Sequence, residues 1–128
     1  MAYYYSKQIN GDFDGVIEKV TEALKTEGFG VLTEIDVQAT FKKKLDVDYK
    51  KYRILGACNP TFAHKALSFE DKIGTMLPCN VVVIEQPEGY IEVVAVNPVA
   101  SMMAIESDQL GEVAGEVKAK LERVIDSL

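Results

Sequence analysis

The spacing of apolar residues changes along the chain, and each change marks an element. Ala2 to Gln8 is rich in tyrosine and reads as a strand. After the Asn10–Asp12 turn, Phe13, Val16, Ile17, Val20 and Leu24 recur at the three-and-four spacing of a helix with one buried stripe. Asp12 is placed to cap that helix and Gly28 to stop it in the left-handed conformation. From Gly30 the period falls to two. Val31, Thr33, Ile35 and Val37 alternate with Leu32, Glu34 and Asp36, which predicts a second strand. Gln38 to Leu45 sets Phe41 and Leu45 at i,i+4 with Lys42, Lys43 and Lys44 between them, a short surface helix. Tyr52 to Ala57 predicts a strand that delivers Cys58 to its C-terminal end.

Asn59-Pro60 then opens a helix, since asparagine caps well and proline loses nothing at the first helical position. That helix carries Phe62, Ala63, Ala66 and Leu67 on one side and ends near Ser68, with Gly74 punctuating a loop. Val81 to Ile84 is apolar on both faces, as in a covered central strand. Pro87-Glu88-Gly89 turns it into Tyr90 to Val96, which Asn97-Pro98 stops. Val99 to Ile105 fits either a strand or irregular structure. Ser107 or Asp108 then caps a final helix with the stripe Leu110, Val113, Ala114, Val117, Leu121, Val124, Ile125 and Leu128, and with Glu116 and Lys120 in the favourable order on its polar side.

This order predicts an α+β two-layer sandwich, a mostly antiparallel sheet with helices packed on one face. Such an arrangement leaves Val82, Ile84, Val94 or Val96 facing water. A second copy covering the open face removes that problem, so a homodimer is expected.

Composition narrows the function. The 128 residues suit one domain spanning 1–128, with a core that needs no staples. A net charge of −6 disfavours nucleic acid, because a phosphate-backbone binder needs a basic face. The cluster Lys42–Lys44 with Lys50, Lys51 and Arg53 is interrupted by acids and reads as a solvated face, with an anion-binding patch as the other possibility. No apolar run approaches the ~20 residues of a membrane span, and Met1 leads into no secretory signal, so a soluble cytoplasmic protein without a membrane partner is expected. Two cysteines in a reducing compartment read as thiols.

Candidate chemistry concentrates between Gly56 and Ile84, which holds both cysteines, the only histidine and two of the four prolines. Cys58-Asn59 before Pro60 and Cys79-Asn80 after Pro78 mirror each other across the segment. Converging at neighbouring strand ends, Cys58, Asn59, His64, Cys79 and Asn80 would form an apolar cleft with a few polar groups, a site for a small molecule or a partner, with Met76, Met102 and Met103 as adaptable walls. A thiol-dependent redox protein or enzyme is the alternative. Cys58 would then be activated by the start of the following helix, with His64 nearby and Cys79 resolving. Zinc or copper held by two thiolates and the imidazole is a further alternative, its fourth ligand being Asp71, Met76 or water. The bland reading makes the cysteines small buried hydrophobes and the asparagines caps. No motif implies a cofactor: there is no G-x-G-x-x-G, P-loop, G-x-S-x-G or H-E-x-x-H. The acid pairs Glu34/Asp36, Asp46/Asp48 and Glu70/Asp71 have no partner that marks acid–base catalysis and read as solvated.

Four blocks, G-F-G-V-L-T-E-I-D-V at 28–37, Y-R-I-L-G-A-C-N-P at 52–60, A-H-K-A-L at 63–67 and I-G-T-M-L-P-C-N-V-V-V at 73–83, resemble in order the domain of unknown function 302 family. The resemblance runs from about Phe13 to the Asn97–Pro98 turn. It implies a small α/β domain with a topology similar to one half of the TATA-binding-protein saddle, pairing as dimers, with no assigned biochemical role. A likeness of fold to the saddle implies no DNA binding.

Overall fold

The computed structural model describes residues Met1–Leu128. Its five strands are β1 (Tyr4–Ile9), β2 (Gly30–Asp36), β3 (Tyr52–Cys58), β4 (Cys79–Glu85) and β5 (Ile91–Val96). They form one sheet in the order β1-β5-β4-β3-β2, and every neighbouring pair is antiparallel. The helices are α1 (Phe13–Thr26), α2 (Val37–Leu45), α3 (Pro60–Phe69), the single turn α4 (Pro98–Ser101) and α5 (Asp108–Asp126), with a 3-10 segment over Asp71–Met76. The fold is α+β, as the sequence predicts.

Register decides which residues become core. Leu55 pairs with Val81 and Ala57 with Cys79 across β3–β4, while Val81 meets Ala95 and Val83 meets Val93 across β4–β5. Side chains of directly paired residues share a face, so this set forms one continuous apolar surface. The stripes of α1 (Phe13, Val16, Ile17, Val20, Leu24) and α5 (Val117, Leu121, Val124, Ile125) seal it into a buried cluster. The opposite face stays open. Ile54, Val82, Ile84, Val94 and Val96 are half-buried there, as the alternation predicts for a sheet covered on one side. Val81 to Ile84 is thus not covered above and below. Its continuous apolar run serves a packed face and an uncovered one.

Each helix start carries the side-chain cap its sequence offers. Asp12 accepts from Gly15 N at 2.9 Å, Asp36 from Ala39 N at 2.9 Å, and Ser107 from Leu110 N at 3.3 Å. Asp36 captures Val37 as the first residue of α2, so the second strand ends one residue earlier than its alternation implies. Gly28 at φ +84° ends α1, and Phe29 N returns to Leu24 O at 3.0 Å. Val99–Ile105 is neither strand nor wholly irregular, because Asn97 caps the short α4 and turns follow it.

Some polar pairs differ from the sequence reading. Lys120 reaches Glu27 on α1 at 3.7 Å rather than Glu116 on its own helix, and Arg123 joins the same carboxylate at 3.0 Å. Glu34 and Asp36 are not simply solvated, since they hold Arg53 at 2.6 and 3.4 Å. Lys42 meets Asp46 and Asp48 at 3.0 and 3.3 Å on an exposed surface. Phe41 packs edge-on against Tyr49, centroids 5.1 Å apart, while its expected partner Leu45 is exposed.

Asn97 is the one buried polar residue of the core. Its Nδ2 donates to Ala2 O at 2.9 Å, and its Oδ1 accepts from Val99 N and Ala100 N at 3.1 and 3.4 Å. It ties the N-terminal segment to the start of α4. Truncating it removes three hydrogen bonds from a buried side chain to half-buried or exposed backbone, so Asn97→Ala is expected to cost about 1–3 kcal/mol in urea unfolding. A loss under ~0.5 kcal/mol would mean that water replaces these bonds without penalty.

Candidate functional site

A cavity of about 300 Å³ opens where α3 and α5 part at one end of the sheet, and 14 of its 18 lining residues are hydrophobic. Five elements build it. The end of β3 and the start of β4 supply Ala57, Cys58, Pro78 and Cys79. From α3 come Phe62, Ala63, Ala66 and Leu67, the four positions of one helical face. α5 adds Val113, Ala114 and Val117, while β2 contributes Leu32 and Thr33. Phe29, Leu77, Pro98 and Met102 complete the walls. The space exists because small side chains meet here: Ala57, Ala66, Cys79 and Ala114 are all buried yet too short to close it.

Local backbone features shape the mouth. The β2–β3 ladder shifts register between Val31 and Thr33, leaving Leu32 without a partner and 69% exposed. A bulge re-aims side chains in this way and is frequent beside functional sites. Gly56 lies under the same rim. A Cβ there would overlap Thr33 Oγ1 and come within 2.8 Å of Pro78 Cγ, so only glycine lets Thr33 and Pro78 close over β3. The Leu77–Pro78 peptide is cis.

The structure divides the residues singled out from sequence. Cys58, Asn59 and Cys79 line the cavity; His64 and Asn80 do not. His64 falls outside the helical face of Phe62, Ala63, Ala66 and Leu67 and is exposed, its carbonyl accepting from Ser68 Oγ at 2.7 Å. Asn80 follows Cys79 in a strand, so period-two alternation sends it to the open face of the sheet. The expected convergence of all five is corrected to these three. Of the methionines, Met102 is a wall, whereas Met76 and Met103 are exposed and outside it.

Asn59 does more than cap. Its Oδ1 accepts from Phe62 N at 3.5 Å while its Nδ2 donates to Glu27 O at 3.2 Å, fastening the start of α3 to the end of α1. Glu27 is held in turn by Arg123, whose hydrogen bond keeps the carboxyl below the usual range. The lip of the cavity is therefore tied to both core helices.

Both cysteines are free. Burial pushes the Cys79 thiol up to about 11, with the neighbouring Cys58 adding to the effect. A thiol so shifted stays protonated near neutrality and is a poor nucleophile or resolving partner. The metal reading loses its imidazole, because His64 lies on the outer side of α3. No group of three or more His, Cys, Asp or Glu side chains is placed to hold an ion. Asp71, offered as a fourth ligand, is exposed and pairs with Lys72 at 3.2 Å.

The chain belongs to the domain of unknown function DUF302 family, whose pattern matches residues 5–128. Its fold is similar to that in the crystal structure of an uncharacterized conserved DUF302 protein from Bacillus stearothermophilus, with a TM-score of 0.91, 28% identity and 98% of each chain covered. No curated protein matches it. No helix is long and apolar enough to cross a membrane.

Two outcomes follow for this region. Removing the Asn59 side chain deletes a cap and an interhelical bond together, so Asn59→Ala is expected to cost about 1–3 kcal/mol in chemical denaturation. A loss below ~0.5 kcal/mol would show that neither bond matters. Cys79 has a folded pKa above its ordinary value of 9.0. Between about pH 9 and about 11 the unfolded chain therefore gives up a proton that the folded chain keeps, and stability falls as pH rises. Below pH 9 this contribution is fully present, and it reaches about 3 kcal/mol at most. Comparing pH-dependent unfolding of the native chain with Cys79→Ala isolates it. Parallel curves through that window would refute a buried, neutral Cys79.

Proposed function

We propose that this protein binds a small molecule in the cavity between α3 and α5, at the Cys58–Asn59–Cys79 corner. The observation that carries the reading is an open space of about 300 Å³ between α3 and α5 in which 14 of the 18 lining residues are hydrophobic. Ligand sites take this form, apolar walls with a few polar groups. Leaving apolar walls unfilled also costs stability, which a purely structural role would not repay. The two unpaired thiols suit a reducing, cytoplasmic setting.

A second reading concerns association. The uncovered face of the sheet carries a shallow groove of about 360 Å³ walled by Tyr3, Tyr4, Tyr52, Val82, Ile84, Val94 and Val96. Its one charged lining residue, Glu92, accepts a hydrogen bond from Gln86 Nε2 at 2.7 Å. A largely apolar face whose one carboxylate already accepts a hydrogen bond can meet its own copy across a two-fold axis, so a homodimer through this surface is the occupant it fits.

Both readings are open to direct test. Ala63→Phe, which places a ring at the half-buried lip of the cavity, is expected to abolish binding of any molecule retained through native purification while leaving the fold intact. Undiminished retention of that molecule by the variant would place the site elsewhere. For association, Val82→Lys with Val94→Lys should convert a dimer to a monomer in sedimentation equilibrium. A native chain that is monomeric at high micromolar concentration would overturn the dimer.

A further inference from the structure

The lining of the α3–α5 cavity also says which molecules it accepts. None of its 18 lining residues is charged. The polar groups present are mostly committed. Asn59 spends its amide on Phe62 N and Glu27 O. Pro60, first in α3, has no N–H to offer, and Ala63 N donates to Asn59 O at 2.9 Å. The start of the helix thus keeps little capacity for an anion. Lys65 and Lys120 stand 5.6 and 5.8 Å from the Phe62 ring centroid, but neither is a lining residue, and Lys120 also meets Glu27. An ion entering this space would lose its hydration without a partner, a cost of several kcal/mol or more.

Size sets the second limit. A dry apolar cavity of ~150 Å³ holds one benzene ring. A space of about 300 Å³ is twice that, enough for roughly a dozen non-hydrogen atoms on the same scale. We infer that the ligand, or the portion of it enclosed between α3 and α5, is an uncharged, predominantly apolar group of bicyclic-aromatic or medium-chain size. The inference rests on the cavity being a ligand site and adds the chemical class.

Three near-isosteric probes separate charge from shape: 2-acetylnaphthalene, 2-naphthoate and 2-naphthylmethylammonium. Each is titrated into the full chain at neutral pH, and the backbone amide resonances of Ala66, Ala114 and Val117 are followed. The ketone is expected to bind at least tenfold more tightly than either ion, since tenfold corresponds to only 1.4 kcal/mol of the desolvation cost. It should shift those three resonances, and Ala63→Phe should remove the effect. As a second block independent of the lip, Ala66→Leu fills the cavity from its floor and should remove it as well. If either ion binds as tightly as the ketone at the same resonances, the assigned class is wrong while the site stands. If none of the three perturbs these residues, the class and the site fail together.

Discussion

The pairing register of β3 with β4 is the constraint on which the rest of the molecule depends. With Leu55 opposite Val81 and Ala57 opposite Cys79, every second residue of the central strands is committed to the face that α1 and α5 cover. A slip of one residue would move the whole apolar set to the other side of the sheet. The same register fixes the site. It sends Cys79 inward and Asn80 outward, and it brings Cys58 to the strand end beside Pro78 and the start of α3.

From this follows the contrast between the two ends of the helical layer. Where α1 and α5 meet over the sheet, leucine, isoleucine and valine fill the space. Where α3 meets α5, the lining residues include Ala63, Ala66 and Ala114, and the strand ends beneath them offer Ala57 and Cys79. Small residues on facing elements normally let those elements approach more closely. Here α3 is held at its distance by the hydrogen bond from Asn59 Nδ2 to Glu27 O at the end of α1 and by the 3-10 segment whose Ile73 anchors a second, smaller core with Ala66 and Leu110. The cavity is thus the product of three separately anchored elements that cannot collapse onto one another.

Much of the fold was legible in the sequence because it rests on local signals. The stripes of α1 and α5, the caps at Asp12, Asn59 and Ser107, and the glycine stop at Gly28 each announce themselves within a few residues. The candidate site was legible only in part, for two reasons. Asn80 could have been excluded at once, since adjacent strand residues face opposite ways. His64 could likewise have been excluded, since it falls off the face of Phe62, Ala63, Ala66 and Leu67 that the sequence itself marks. The contributions of Leu32, Ala114 and Val117 depend on a bulge and on contacts distant in sequence, and no local pattern encodes them. The consecutive apolar pair Val31-Leu32, at odds with alternation, was the single available sign of the bulge.

A preformed, accessible apolar cavity between α3 and α5 behaves differently from a packing gap that closes in solution. Xenon reports on this directly, because it enters dry apolar cavities without needing a hydrogen bond. A crystal pressurised with the gas should show xenon among Phe62, Ala66 and Val117, with the surrounding side chains unmoved. Phe62 or Met102 turned inward, with no xenon between the helices, would contradict a preformed cavity.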